Sequence, residues 1–164
     1  MSALFDSMAP TWTGRDGPDR HASLHDALAR GGPFTPGPCL EVGSGTGEAT
    51  PILRARFGNV IALDLSREML RYAPAECPRV QADSSALPVA ADSATVAALV
   101  NMLLFPVEVD RVLAPAGALL WVNTLGDATP IHLPAADVLD ALPGTWHGMT
   151  ADAGWGTWLV ARRA

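Results

Sequence analysis

Residues 39–50 read CLEVGSGTGEAT, and no other stretch constrains the fold as much. Four residues rich in apolar side chains end on three alternate glycines, Gly43, Gly45 and Gly47. The chain then takes up helical spacing, with Ile52, Leu53 and Phe57 recurring on one side. Glycine permits a tight turn and lets another molecule approach the backbone closely. Free N–H groups at the start of the following helix favour negative or polar ligand atoms. An apolar run without alternation predicts a strand buried on both faces, as in a parallel sheet. Strand, glycine turn and helix together predict a ligand loop at the carboxyl edge of an open α/β sheet.

The rest of the chain repeats this alternation. Short apolar runs stand at 60–63, 79–82, 96–100 and 118–122. Helical segments are predicted between them: 48–57 with Pro51 in its first turns, 67–72 behind Ser66 as N-cap and stopped by Pro74, and 107–113. A further helix is expected to run to Leu142, with Pro134 at its first position. The tail differs: 145–150 and 155–161 flank Ala151-Asp152-Ala153-Gly154, a hairpin signal. The expected fold is α/β, a doubly wound and mostly parallel sheet with a C-terminal antiparallel hairpin. A chain of 164 residues, 49% of them apolar, supports one core. One domain over 1–164 is expected, with residues 1–38 a polar N-terminal segment with a helical patch and 39–164 the core.

Composition narrows the ligand. All eleven basic residues are arginine, so a P-loop, which needs Gly-Lys, is excluded. A dinucleotide loop wants G-x-G-x-x-G, but Glu48 stands where a third glycine counted from Gly43 would fall, which disfavours a nicotinamide oxidoreductase. The net charge of −6 argues against a nucleic-acid binder, which needs a basic stripe. Cys39 and Cys77 form neither a disulfide framework nor a zinc spacing, and no metal site is expected. The longest apolar stretch, 94–109, is broken by Asn101 and Pro106, so no membrane insertion is expected. With no apolar leader either, the expected location is cytoplasmic. Asp64 ends the second apolar run, about 20 residues beyond the loop, where an acid accepts ribose hydroxyls. Asp83 ends the third run in the same way.

These motifs resemble those of the class I S-adenosylmethionine-dependent methyltransferases, in particular the small-molecule branch similar to ubiquinone/menaquinone-biosynthesis enzymes. FDSMAPTW resembles that branch's N-terminal segment, CLEVGSGTG its glycine motif and VIALDLSREML its second-strand motif. ADSSALP and EVDRVLAPAG resemble two later ones. The resemblance runs from Phe5 to Arg162. It implies a seven-stranded Rossmann-like sheet of order 3-2-1-4-5-7-6, with S-adenosyl-L-methionine as cofactor. It places Glu41, Gly43, Ser44 and Gly45 at the methionine end and Asp64 at the ribose. Leu65 and Met69 would lie against the adenosine, Asp83 and Ser84 at the adenine, and Asn101 beneath the sulfonium. Trp12, in the N-terminal motif, would cover the cofactor. Three departures stand out: Ala94-Thr95 replaces Phe-Asp, the 101–107 segment is short, and Ala116 replaces a glycine of Pro-Gly-Gly.

The expected partner is a small-molecule methyl acceptor. Candidates to act on it are His21 and His25, four residues apart on one predicted helix face, and His132 in a loop after the fifth strand. Asn123 and Thr124, ending that strand, are candidates to line its pocket. His147 and the tryptophans Trp121, Trp146, Trp155 and Trp158 are read as packing residues. The alternative reading is a cofactor-binding protein with little or no transferase activity.

Overall fold

Strands β1 (Cys39–Val42), β2 (Val60–Asp64), β3 (Arg79–Gln81), β4 (Ala94–Val100), β5 (Leu113–Asn123), β6 (Trp146–Ala153) and β7 (Gly156–Arg163) form one sheet. Its order is β3-β2-β1-β4-β5-β7-β6. The first five pair in parallel, and β7 runs antiparallel to both β5 and β6. The expected doubly wound sheet with its terminal hairpin is therefore present, and its strand order turns back between β1 and β4. The computed structural model describes residues 2–11 and 20–164; Trp12 lies outside the described residues.

Helices α1 (Ser2–Met8), α2 (Ala22–Arg30), α3 (Thr50–Phe57), α4 (Arg67–Tyr72), α5 (Pro106–Val112) and α6 (Ala135–Ala141) surround the sheet. Pro51 and Pro106 sit in the first turns of α3 and α5, where a missing N–H leaves nothing unpaired. The Ser66 hydroxyl caps α4, accepting the Met69 N–H at 3.0 Å. Two apolar cores follow from winding on both faces. One gathers Leu40, Leu63, Leu99, Leu119, Trp121 and Val138. The other joins Leu24, Leu53, Val96, Leu120, Val122 and Trp158.

Several boundaries differ from those expected, each for a local reason. β5 begins at Leu113, before the Pro115-Ala116-Gly117 turn, because pairing with Ala94 precedes a bulge that carries the turn outward. Pro134 is the N-cap of α6 rather than its first residue. The hairpin turn is tighter than the four residues anticipated: Ala153 pairs with Gly156, leaving only Gly154 and Trp155 to turn. Trp155 is correspondingly exposed at 60% and is not a packing residue, whereas Trp121, Trp146 and Trp158 are buried.

The N-terminal segment divides in two. Helix α2 is a layer of the second core, with Leu24 and Ala27 fully buried; burying the leucine alone is worth ~1.5–3 kcal/mol. Asp26 Oδ2 accepts the Trp158 Nε1–H at 2.7 Å, and Arg162 donates to the Gly31 and Pro33 carbonyls. Helix α1, absent from the sequence reading, buries no residue, so no apolar stripe announces it. Its anchor is polar: Asp6 Oδ1 accepts the Ser66 hydroxyl at 2.5 Å and, more loosely, the Glu68 N–H at 3.4 Å.

Candidate cofactor site

The glycine loop is hung from β2 by backbone bonds. Gly43 and Ser44 N–H both donate to the Leu63 carbonyl, at 2.8 and 2.9 Å. Gly45 N–H donates to Asp64 Oδ2 at 2.8 Å, while Asp64 Oδ1 accepts the Ser66 N–H at 2.8 Å. One carboxylate thus ties the loop to the start of α4. Burial raises the Asp64 carboxyl above its ordinary range, against the pull of those two amides.

Gly43 and Gly47 are obligatory for different neighbours. Gly43 has φ +71°, and a Cβ there would lie 2.3 Å from the Met102 sulfur. Met102 therefore lies across the open face of the loop. Gly47 has φ +78°, and a Cβ there would lie 2.5 Å from Pro74 Cδ and 3.1 Å from Ala73 Cα. That close approach lets the loop pass the end of α4.

Below the loop, Glu41 is 2% exposed and accepts the Thr50 hydroxyl at 2.5 Å. Burial pushes its carboxyl up to about 7; the Thr50 bond opposes the shift, and the nearby Asp64 charge adds to it. The hydroxyls of Ser44 and Thr46 are buried without a hydrogen-bond partner among the described residues. Buried polar atoms are normally paired, so orphaned hydroxyls in a loop at the sheet's crevice suit a polar ligand. These residues fit the polar methionine end of S-adenosylmethionine.

The structure brings Glu41, Gly43, Ser44, Gly45 and Asp64 together as expected. Leu65 and Met69 follow on the turn into α4, Met69 fully buried. Asp83 is exposed and turned to its own loop, accepting the Ser85 amide and hydroxyl at 2.9 and 2.7 Å, which lower its pKa. Its neighbour Ser84 is buried. Asn101 has φ +52°, and both polar atoms of its side chain bind Thr124. Nδ2 donates to the Thr124 hydroxyl, and Oδ1 accepts the Thr124 N–H, both at 2.8 Å. Asn101 therefore ties the carboxyl ends of β4 and β5 together.

His25 is exposed on α2 and His21 precedes that helix. His132 Nε2 lies 3.3 Å from Asp127 Oδ1, in the strap between β5 and α6. His147 is exposed on β6. Among the described residues, no group of three or more His, Cys, Asp or Glu side chains could hold a metal ion. No described helix is long and apolar enough to cross a membrane.

Sequence reasoning missed Thr46, Thr50, Met102 and Asp6. The threonines lie inside or just beyond the glycine motif and carry a signal, since hydroxyls there face either the ligand or the acid below. Met102 and Asp6 carry none, because each meets its partner only through the fold.

The methyltransferase domain family matches residues 40–121. No curated protein matches the chain in sequence. Among solved structures, DhpI in complex with SAH is 20% identical with a TM-score of 0.74, over 99% of this chain and 94% of that one. A methyltransferase complexed with the Haloferax volcanii activator Trm112 is 17% identical at TM-score 0.74, covering 96% of each chain. A SAM-dependent methyltransferase from Aquifex aeolicus is 16% identical at TM-score 0.69, over 98% of this chain and 97% of that one. With its glycine loop, its Asp64 anchor and the matched half of its length, the chain belongs to the methyltransferase domain family, and it has the fold of the class I S-adenosylmethionine-dependent enzymes.

Proposed function

We propose that the protein transfers a methyl group from S-adenosyl-L-methionine to a small-molecule acceptor. One observation carries the cofactor half of this reading. The glycine loop stands where the strand order turns back between β1 and β4, with its Ser44 and Thr46 hydroxyls buried and unpartnered. Ligands of open α/β sheets lie in that crevice.

The residues divide the work by chemistry. Ser44, Thr46 and the glycine amides hold the polar methionine end. Glu41, accepting the Thr50 hydroxyl, stiffens the base of the loop. Asp64 keeps lone pairs beyond its two amide bonds, and these accept the ribose hydroxyls. Met102, flexible and polarisable, moves off Gly43 to admit the ligand. The cofactor, when bound, supplies an activated methyl group on sulfur; the chain supplies position and exclusion of water. The small-molecule acceptor is supported by the acidic balance of the chain, −6, which repels nucleic acid.

The test is calorimetry with S-adenosylhomocysteine. Each charge-assisted hydrogen bond accepted by Asp64 is worth ~1.5–3 kcal/mol, so Asp64→Ala is expected to weaken binding by about tenfold or more. Unchanged affinity in a folded variant would remove Asp64 from the site.

A further inference from the structure

A second concave site lies on the same carboxyl edge of the sheet, away from the glycine loop. Its floor is two rows of side chains across three strands. Trp121, Leu159 and Thr150 form one row, and Asn123, Thr157 and Asp152 the other. The strap after β5 roofs it with Asp127, His132 and Leu133, leaving a cavity of about 200 Å³.

One polar group there lacks a structural explanation. Asn123 is 1% exposed, and its Oδ1 is buried with no hydrogen-bond partner among the described residues. Its orientation is fixed from the other side, since Nδ2 reaches the Leu133 carbonyl at 3.5 Å, which an amide oxygen would repel. That carbonyl also accepts the Trp121 Nε1–H at 3.2 Å. His132 lines the same cavity, its Nε2 3.3 Å from Asp127 Oδ1. The Asn123 oxygen calls for a donor. The ionisable lining residues are Asp127, Asp152 and His132, with no arginine among them, so an anion is disfavoured. For scale, an apolar cavity of roughly 150 Å³ holds benzene.

One wall of the cavity, the end of β5, faces the cofactor half of the sheet. Asn123 precedes Thr124, whose side chain and amide bind Asn101 at the end of β4. Strands β1, β4 and β5 are neighbours, so the end of β5 stands about 10 Å from the end of β1.

We infer that this cavity is the acceptor site, and that it takes a single-ring molecule, neutral or amine-bearing, which presents a hydrogen-bond donor to Asn123. The inference rests on the methyl-transfer reading above.

The test uses the full chain without cofactor, titrated with phenol and aniline, and with benzoate and phenyl phosphate as anionic counterparts. The readout is the nuclear resonance of the Asn123 side-chain amide and the His132 ring. Phenol and aniline are expected to move both signals, with affinity falling at least fivefold in Asn123→Leu and in Leu133→Trp, which fills the cavity. Benzoate and phenyl phosphate are expected to move neither. S-adenosylhomocysteine affinity is measured beside these titrations to separate the two readings. Retained S-adenosylhomocysteine binding with no phenol response overturns the cavity site alone. Phenol affinity that is equal in both variants overturns it as well, and benzoate binding as well as phenol overturns the assigned class. A phenol response in a chain that ignores S-adenosylhomocysteine overturns the acceptor role.

Discussion

The two halves of the sheet end in differently built edges. At β1 and β2 the edge is backbone: three amides of the glycine loop are held by Leu63 and Asp64, and the side chains involved are few and short. At β5, β6 and β7 the edge is side chains aligned across strands, Asn123 beside Thr157 beside Asp152, under a strap of irregular chain. A backbone edge tolerates little change, because every contact depends on one main-chain path. A side-chain edge can be rewritten residue by residue without disturbing the ladder beneath it. That division suits a shared cofactor on one side and a particular acceptor on the other.

The largest expected effect breaks the rigid edge. Gly47→Val puts a branched side chain at φ +78°, against Pro74 and Ala73, neither of which can rotate away. Strain and overpacking together are expected to cost about 4 kcal/mol, a fall in melting temperature of about 8–16 °C. Asp152→Asn, at the exposed end of the row in the other half, is expected to stay within about 0.5 kcal/mol. Thermal melts of the two variants compare the edges directly, and similar losses would abolish the contrast.

The same contrast explains what was legible in the sequence. The strands, hairpin and glycine loop were readable because they depend on neighbours along the chain: CLEV before Gly43, Ser66 three residues before Met69, Pro74 after α4; the strand order came only from the family resemblance. The acceptor cavity was only half legible. Asn123 and His132 stood out as polar residues after a buried strand, but Thr157 and Asp152 join them only through the register of an antiparallel hairpin. Helix α1 was invisible because it buries nothing and depends on Asp6 reaching Ser66, 60 residues away. Met102 was missed for the same reason, since its contact with Gly43 crosses from β4 to β1.

A smaller effect concerns pH. Glu41 titrates at about 7 in the folded chain, against 4.5 ordinarily. The folded state holds this proton more tightly than the unfolded state. Its stabilisation is therefore complete below the ordinary value and is lost as pH rises toward 7, by up to about 3 kcal/mol. Asp64 is raised as well and acts in the same direction. Asp6, Asp26, Asp83 and Glu108 are held low, so their contributions disappear only on stronger acidification. Melting temperature is thus expected to fall between about pH 5 and about pH 8. Glu41→Gln, which can still accept the Thr50 hydroxyl, is expected to flatten most of that fall and to be the more stable protein at the alkaline end. An unaltered slope would mean that Glu41 is not the group being titrated.

The smallest effect tests the seam between the two edges. Thr124 is 1% exposed, and Asn101 binds it through both amide atoms, so a single residue pair fastens the cofactor half to the acceptor half beyond the β4–β5 ladder. Thr124→Val keeps the shape and the backbone bond to Oδ1 but removes the hydroxyl, leaving Asn101 Nδ2 without its acceptor. An unpaired donor in a partly buried place costs about 1–2 kcal/mol, a fall in melting temperature of about 2–8 °C. Asn101 is also held at φ +52°, a conformation that asparagine tolerates better than most residues but does not prefer. With one of its two bonds gone it is freer to relax, and Met102, the next residue, moves with it over Gly43. S-adenosylhomocysteine affinity in Thr124→Val is therefore expected to change along with the melting temperature. If stability falls while affinity is unchanged, the pair is a strand fastening only, and the two edges work independently; if both move, the acceptor edge reaches the cofactor through Asn101.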